Sequence, residues 1–136
     1  MDINALKDQL IRDEGLQLKP YLDTAGKWTI GAGRNLTDNG ISSSEADAML
    51  TNDILSHMRD MDQAIPWWAV LSQSRQLVMA SMCFNMGITR LLTFKKFLAA
   101  AQAGNYKQAA VEMLNSKWAV QVGDRAKRLA ALMESG

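Results

Sequence analysis

The stretch Asp13–Leu36, DEGLQLKPYLDTAGKWTIGAGRNL, decides the fold of this chain, because a helical pattern changes here into short strands and turns. Three polar residues are spaced along it: Glu14 ends the helical pattern, Asp23 follows nine residues later, and Thr29 six residues after that. Glycines at turn positions separate them: Gly15, Gly26, Gly31 and Gly33. We interpret this stretch as an active site and the rest of the chain as mainly helical scaffold.

Length and composition favour one compact domain, residues 1–136, over a disordered or membrane-spanning chain. The sequence has 136 residues, 48% of them hydrophobic, and a formal net charge of +1. A chain of this length buries a core without disulfides or metals, and so small a charge gives no whole-molecule attraction to nucleic acid. The single cysteine, Cys83, excludes an internal disulfide, and the single histidine, His57, excludes a histidine-rich metal site.

The residues before Gly15 predict an amphipathic helix. Asp2 or Asn4 is a suitable N-cap, and Gly15 stands at the usual position of a C-terminal cap. Four apolar residues share one helical face: Ile3, Leu6, Leu10 and Ile11. Glu14 falls near that face at the end of the helix. A carboxyl group at a helix C-terminus and against apolar side chains is suited to donating a proton.

Residues 19–36 change to the period of short strands. Three strands are predicted, at Lys19–Leu22, Lys27–Ile30 and Arg34–Leu36. Pro20 lacks a backbone donor and restricts the first strand to a sheet edge. The segment Asp23–Gly26 has the composition of a tight turn.

Glu14, Asp23 and Thr29 are therefore candidate catalytic residues on the walls of a cleft. Asp23 opens a turn in which backbone N–H groups and water keep it ionised, whereas Glu14 is placed to hold a proton. Environments that drive the pKa values of two carboxyl groups apart assign one of them the acid role and the other the base role. Thr29 lies within a strand, with a hydroxyl able to hold an attacking water. The alternative interpretation is two solvated surface carboxylates and an ordinary strand threonine.

From residue 42 onward the pattern is helical. Ser42 and Glu45 form a capping box, which begins a helix. Pro66 ends this helix. Later helices are predicted from Ser72 or Ser74 to Gly87, over 94–103, over 106–114, around Trp118 and over 125–133. This order predicts an α+β fold.

The signature Glu14-Gly15 followed by Asp23-Thr24-x-Gly26-x-x-Thr29-Ile30-Gly31-x-Gly33 resembles the phage lysozymes of glycoside hydrolase family 24, the T-even type. Their pattern places eight residues between Glu and Asp and five between Asp and Thr, as here. The resemblance resumes in three further segments, so it covers nearly the whole chain: Phe84–Gly87, Ser116–Trp118 and Arg125–Arg128.

This resemblance implies a lysozyme-like architecture and a role for each site residue. The hairpin lobe would span about residues 15–41 and the helical lobe residues 1–14 and 42–136, with the cleft between them. Glu14 would be the acid, Asp23 the second carboxylate and Thr29 the water-positioning hydroxyl, with Arg125 paired to Glu14. Four residues fall where family members line the sugar cleft, although only Phe84 keeps the familiar residue type: Asn35, Phe84, Phe97 and Glu112.

Two departures from the family pattern concern the hairpin lobe. Arg34 stands where the family usually has a histidine after Gly-x-Gly, and we expect this change to rearrange stabilising contacts rather than the chemistry. The segment between Arg34 and Ser42 is also much shorter than in T-even enzymes. The hairpin lobe should therefore be smaller and one wall of the cleft lower.

The activity implied by the resemblance is that of an endolysin-type muramidase. Such an enzyme hydrolyses the β-1,4 bond between N-acetylmuramic acid and N-acetylglucosamine in peptidoglycan, with inversion and without a metal or cofactor. A lytic transglycosylase is a rival, because it needs only the acid. A catalytically silent wall-binding domain, for example in a phage tail, and a toxin directed at competitors are further alternatives.

Partners and location follow from the same resemblance. Residues 3–11 lack the apolar run of a signal peptide, and no stretch is long enough to span a membrane. We therefore expect a monomer held in the host cytoplasm until a holin releases it to the wall, with no stable membrane association. Four C-terminal cations form either a solvated face or an attraction to an anionic polymer: Lys117, Arg125, Lys127 and Arg128.

Two further features are predicted to belong to the core. Cys83 lies among apolar residues of a helix, and as a nucleophile it would lack a partner because His57 is on a different helix. One of Trp67 and Trp68 is expected in the core, while the other is a possible surface for stacking on a sugar ring.

Overall fold

The first helix, α1, spans Ile3–Glu14 in the computed structural model, which describes residues 1–136. Asp2 caps it by accepting the Ala5 N–H at 3.1 Å. Gly15 ends it with a φ of 77°, and its N–H donates to the Ile11 carbonyl at 2.8 Å. Both predicted boundaries are confirmed, because each is fixed by a local cap.

The predicted strands form one antiparallel sheet in the order β1-β2-β3, with β1 at Gln17–Leu22, β2 at Trp28–Gly31 and β3 at Arg34–Asn35. Thr29 pairs with Tyr21 on one side and Asn35 on the other. The third strand is shorter than predicted. Asn35 accepts the Asp38 N–H at 3.0 Å and thereby begins a short helix, α2, at Leu36–Asn39.

The remaining helices follow the predicted order, with two short additions. They are α3 (Ser43–Ala64), α4 (Gln73–Met86), α5 (Ile88–Leu91), α6 (Lys95–Gln102), α7 (Tyr106–Leu114), α8 (Lys117–Val122) and α9 (Asp124–Ser135). A 3-10 helix at Pro66–Val70 follows α3. This 3-10 helix and α5 were not predicted, since neither is long enough to show a helical period. Helices and one small antiparallel sheet confirm the α+β fold class.

The chain divides into two units, residues 1–48 and residues 49–136. The first unit holds α1, the sheet, α2 and the start of α3, so α1 groups with the sheet rather than with the later helices. The boundary between the two units lies within α3, which spans Ser43–Ala64 without interruption. The predicted single-domain organisation, with lobe limits at residues 14 and 41, stays a prediction. No helix combines the length and the apolar character needed to cross a membrane.

The hydrophobic core lies in residues 49–136. Its largest fully buried side chains include Trp118, Phe97 and Ile65, and five of the nine methionines are fully buried in it: Met61, Met79, Met82, Met113 and Met133. Flexible thioether side chains fill irregular gaps between helices. Trp68 also belongs to the core, at 5% exposed, with its Nε1 donating to Asp62 at 2.8 Å.

Arg75 joins three helices of this core. Its Nε donates to the Met133 carbonyl at 2.7 Å and its Nη2 to the Glu134 carbonyl at 3.0 Å, near the end of α9. Its guanidinium lies 3.5 Å from the centroid of the Tyr106 ring on α7. The charge therefore interacts with carbonyls at a helix C-terminus and with an aromatic face, both of which favour a cation.

Arg34 ties the end of the sheet to the start of α3. Its Nη1 and Nη2 donate to the two carboxylate oxygens of Glu45 at 2.9 and 2.8 Å, and Nη1 also donates to the Gly40 carbonyl at 3.2 Å. Glu45 accepts the Ser42 N–H at 2.9 Å, and Ser42 Oγ accepts the Glu45 N–H at 3.1 Å, which confirms the capping box. Arg34, a departure from the pattern of the family that the sequence resembles, thus has a structural role.

This arrangement predicts acid sensitivity in the first unit. The hydrogen bond from Arg34, followed by those from Ser42, lowers the pKa of Glu45 from 4.5 to about 2. A carboxyl group whose pKa is depressed in the folded state stabilises that state above its unfolded value. The stabilisation is therefore present above pH 4.5 and is lost as the pH falls towards 2. Melting temperatures at pH 6 and pH 3 should show a smaller decrease in Glu45→Gln than in the unmodified protein.

The matched control for this measurement is Glu134→Gln, an exposed glutamate that forms no ion pair. It should show the same acid-induced decrease in melting temperature as the unmodified protein. Equal decreases in all three proteins would contradict the assignment to the Arg34–Glu45 pair.

Candidate active site

Glu14 lies at the end of α1, beside the turn that joins β2 to β3. A Cβ placed on Gly33 would be 3.9 Å from Glu14 Oε2, which locates the carboxylate next to that turn. Gly33 has a φ of 91°, a backbone conformation that residues with side chains rarely adopt. The helix end and the strand bearing Thr29 are therefore brought together within the first unit.

One expectation about Glu14 is wrong. It was predicted to be partly desolvated against an apolar face, but Glu14 is exposed and α1 has no buried residue. Ile3, at 61% exposed, and Leu10, at 43%, lie on that face. The helical period determines which residues share a face, but it does not determine what covers the face. Exposure leaves the carboxyl group accessible to a large substrate.

Asp23 is half-buried and opens the turn between β1 and β2. Its Oδ1 accepts the N–H groups of Ala25 at 2.9 Å and Lys27 at 2.8 Å. The turn is closed by hydrogen bonds from Asp23 N to Lys27 O at 2.9 Å and from Gly26 N to Asp23 O at 3.0 Å. The predicted stabilisation by backbone amides therefore falls on one carboxylate oxygen, and Oδ2 has no hydrogen-bond donor from the protein.

Thr29 is the only buried polar residue, at 4% exposed. Its hydroxyl donates to the Lys27 carbonyl at 3.0 Å, so its oxygen keeps lone pairs for accepting a hydrogen bond. The Lys27 backbone thus contacts Thr29 through its carbonyl and Asp23 through both its N–H and its carbonyl. Sequence reasoning missed Lys27, because its contribution is made by backbone atoms that any residue supplies.

Helix α2 braces the same hairpin. Lys27 Nζ lies 3.1 Å from Asp38 Oδ1, and the Trp28 N–H donates to Thr37 Oγ1 at 2.8 Å. Asn35 was predicted to line a sugar cleft, but both groups of its amide are used locally. Its oxygen accepts from Asp38 N and its nitrogen donates to Asp38 Oδ2 at 2.9 Å. Its observed role is to start α2 and orient Asp38.

Phe84 and Arg125, predicted as binding and supporting residues, line one cavity in the second unit. The cavity has a volume of about 280 Å³ and is otherwise mostly apolar. Phe84 is 40% exposed, and its ring packs edge-on against His57 with centroids 5.4 Å apart. An aromatic ring with a free surface beside a guanidinium is suited to a carbohydrate that carries polar substituents. The predicted pairing of Arg125 with Glu14 stays a prediction.

The other two predicted binding residues, Phe97 and Glu112, differ in their exposure to solvent. Phe97 is 1% exposed, so its ring is part of the core and has no free face for a sugar. A role for Phe97 in sugar binding stays a prediction. Glu112 is half-buried, lines a second cavity and accepts the side-chain N–H of Gln108 at 3.0 Å.

Cys83 lies close to His57, although nothing in the sequence indicated that these two residues are neighbours. Helices α3 and α4 bring His57 Nδ1 within 3.8 Å of Cys83 Sγ. Cys83 is nevertheless fully buried, and burial raises the pKa of its thiol, which keeps it protonated. The prediction that Cys83 belongs to the core is confirmed.

Motif segments far apart in sequence also meet in the second unit. Trp118 is 1% exposed, and its Nε1 donates to Asn85 Oδ1 at 2.9 Å. This contact joins Phe84–Gly87 to Ser116–Trp118, two of the segments that carried the family resemblance.

Comparisons with known proteins agree with this arrangement. Residues 12–134 match the family model for phage lysozyme. Probable T4-type lysozyme 2 of Dictyostelium discoideum is 28% identical over 98% of this chain and 96% of its own length. An endolysin of Acyrthosiphon pisum secondary endosymbiont phage 1 is 33% identical over 79% of this chain and 72% of its own length. The pre-baseplate central spike protein Gp5 of Enterobacteria phage T4 is 29% identical over 97% of this chain but 28% of its own length.

The family model covers the candidate catalytic residues as well as most of the helical unit. The small sheet, the helices α2 to α8 and the residues Glu14, Asp23 and Thr29 all lie within the matched segment, which begins near the end of α1. This chain therefore belongs to the phage lysozyme family and has its α+β, lysozyme-like fold.

Proposed function

We propose that this lysozyme-type peptidoglycan hydrolase is a muramidase, which cleaves the β-1,4 bond between N-acetylmuramic acid and N-acetylglucosamine. The observation that carries the proposal is the hairpin, in which one backbone unit, Lys27, holds both Asp23 and Thr29. Glu14 belongs to the same unit of the chain and lies beside the next turn of the sheet. The hairpin thus fixes an anionic group and a hydroxyl in one rigid element that also neighbours an accessible carboxyl group.

Glu14 is the proton donor in this proposal. Its carboxyl group is exposed and makes no hydrogen bond within the protein, so it is free to approach a glycosidic oxygen. Cleavage of a glycosidic bond requires protonation of the leaving oxygen, since an alkoxide leaves poorly. Positive charge develops on the sugar ring as the bond breaks.

Asp23 and Thr29 act on the opposite face of the sugar. Oδ1 of Asp23 is held by two amides, which leaves Oδ2 to stabilise the developing positive charge and to accept a proton from water. The Thr29 hydroxyl donates to Lys27, so its oxygen accepts a hydrogen bond from the same water and orients it. Attack by this water inverts the anomeric carbon, which requires the two carboxyl groups to be about 6.5–9.5 Å apart.

Substrate binding in this proposal uses the half-exposed ring of Phe84, with Glu112 as a polar contact. Asn35 contributes by fixing α2 rather than by touching a sugar. Arg125 lines the same cavity as Phe84 and supports substrate binding there. The biological outcome is lysis of the bacterial wall by a monomeric endolysin, held in the host cytoplasm until a holin releases it.

The products of purified peptidoglycan test the chemistry directly. Hydrolysis in water enriched in oxygen-18 should place the label on a new reducing end, which mass spectrometry detects. Proton NMR of the first product formed should show the α-anomer, as inversion of a β-linkage requires. Products ending in 1,6-anhydro sugar without label would identify a lytic transglycosylase instead and exclude hydrolysis.

A second candidate is a wall-acting domain carried by a larger phage structure. The observation that favours it is the similarity of almost the whole chain to about a quarter of the Gp5 spike protein. The chemistry would be the same, but delivery would not require a holin. If peptidoglycan binds the purified chain yet gains no reducing ends, the catalytically silent version of this candidate is supported over the muramidase.

A further inference from the structure

The peptide group that joins Lys27 to Trp28 contacts both of the hairpin residues assigned to the reaction, Asp23 and Thr29. Its carbonyl accepts the Thr29 hydroxyl at 3.0 Å and the Asp23 N–H at 2.9 Å. A carbonyl oxygen has two lone pairs, so both of them are used here. The direction in which this carbonyl points therefore determines how the Thr29 hydroxyl is oriented and where the Asp23 turn begins.

The N–H of the same peptide group is held by Thr37. Trp28 N–H donates to Thr37 Oγ1 at 2.8 Å. The third strand ends at Asn35 and Leu36 begins α2, so a side-chain oxygen takes the place of a strand carbonyl at this position. A peptide group is planar and rotates as one body. Thr37, by restraining the N–H, therefore also restrains the carbonyl that contacts Thr29.

The single turn of α2 fixes the position of Thr37. Asn35 accepts the Asp38 N–H at 3.0 Å at the start of this turn, and the Gly40 N–H donates to the Leu36 carbonyl at 3.0 Å at its end. Both bonds lie within six residues of the chain and hold the backbone on either side of Thr37. The hydroxyl therefore approaches the hairpin from an ordered segment.

A second contact between α2 and the hairpin, the ion pair of Lys27 with Asp38, has a different effect. Its Nζ–Oδ1 distance is 3.1 Å, but the two side chains are 39% and 51% exposed. Exposed ion pairs contribute little stability, and this one holds the end of a flexible side chain. The hydrogen bond to Thr37 acts on the backbone itself. Thr37 is therefore the residue of α2 that controls the orientation of the peptide group.

We propose that Thr37 is a positioning residue for hydrolysis, which acts through the Lys27–Trp28 peptide group on the Thr29 hydroxyl. This inference rests on the proposed role of Thr29 in orienting the attacking water. While the N–H is held, the Thr29 hydroxyl donates in one direction, and its lone pairs face the water in a constant orientation. Without Thr37 Oγ1 the peptide group can tilt, and the hydroxyl spends less time in that orientation. Thr37 itself touches neither the water nor the sugar.

The test compares Thr37→Val, which keeps the shape but removes the acceptor, with Thr37→Ser, which keeps the hydroxyl. On a peptidoglycan oligosaccharide of defined length, kcat of Thr37→Val should fall about threefold to tenfold, the contribution of one hydrogen bond. KM should stay within about twofold, because no substrate contact is lost. Hydrogen exchange of the Trp28 amide, followed by NMR, should be faster in Thr37→Val. Both kcat and this exchange rate should be normal in Thr37→Ser.

The matched control is Thr51→Val, which makes the same change at an exposed threonine of α3 and should alter neither kcat nor the exchange of the Trp28 amide. Thr29→Val tests the underlying assumption separately. A large loss of kcat in Thr29→Val beside a normal kcat in Thr37→Val would overturn the inference and leave the proposed hydrolysis standing. Full activity in Thr29→Val would overturn the role of Thr29 and the inference together. A fall in kcat that Thr37→Ser shares would contradict the assignment to the hydrogen bond. Melting temperatures confirm that each variant is folded.

Discussion

Glu14→Gln is expected to lower the rate of peptidoglycan hydrolysis by about a thousandfold or more while leaving the melting temperature unchanged. Glutamine has nearly the shape of glutamate but no proton of suitable acidity to give to the glycosidic oxygen. General acid catalysis contributes about a hundredfold to ten-thousandfold to such reactions. Because Glu14 is exposed and forms no internal hydrogen bond, the fold does not depend on its charge.

The decisive measurement for Glu14 combines clearing of a cell-wall suspension with release of new reducing ends. Asp13→Asn is the matched control, since Asp13 is the adjacent exposed carboxylate and precedes Glu14 on the same helix. It should retain nearly full activity. A Glu14→Gln protein that still clears the suspension at a tenth of the normal rate would remove Glu14 from the acid role.

Asp23→Asn is expected to reduce hydrolysis about a hundredfold to a thousandfold, with the hairpin intact. The amide oxygen of asparagine can still accept the N–H groups of Ala25 and Lys27, so the turn is preserved. The variant lacks the negative charge that would stabilise the positively charged sugar and accept the proton of water. Loss of one preorganised electrostatic contact typically lowers a rate by this amount.

Asp2→Asn controls for the change of charge at Asp23. Asp2 caps α1, and asparagine is an equally good cap, so both stability and activity should be maintained. Circular dichroism melting separates the two possible causes of lost activity in Asp23→Asn. An inactive variant with a normal melting temperature supports the catalytic role, whereas full activity in that variant would exclude it.

The sequence predicted best the features that depend on near neighbours. The ends of α1 follow from Asp2 and Gly15, and the start of α3 follows from Ser42 and Glu45. Each of these signals acts over three or four residues, so the chain order is sufficient to detect it. Helix α5 has only four residues and no side-chain cap, so it offers no such local signal and was missed.

Features that depend on tertiary packing were less predictable. The face of α1 was identified correctly as a shared face, but its exposure was not. His57 and Cys83 are 26 positions apart on different helices, and nothing in their spacing indicates that α3 and α4 bring them together. The Phe97 side chain was assigned by family position, whereas its burial depends on the neighbours around it.

The candidate site was only partly accessible from sequence. Spacing and resemblance selected Glu14, Asp23 and Thr29, and the structure places all three in the unit formed by residues 1–48. The contacts through Lys27 are made by its backbone amide and carbonyl, and a one-letter pattern does not record those atoms. Whether Glu14, Asp23 and Thr29 perform the assigned steps stays a prediction that the variants above address.

The contact between Arg34 and Glu45 has a consequence for engineering. The two residues are eleven positions apart, and their pairing fastens both ends of the short intervening segment. Ile41 in that segment is exposed, so a peptide grafted beside it would project into solvent. Closure entropy grows slowly with loop length, and the contact between Arg34 and Glu45 would isolate the hairpin that carries Asp23 and Thr29 from the motion of such a graft.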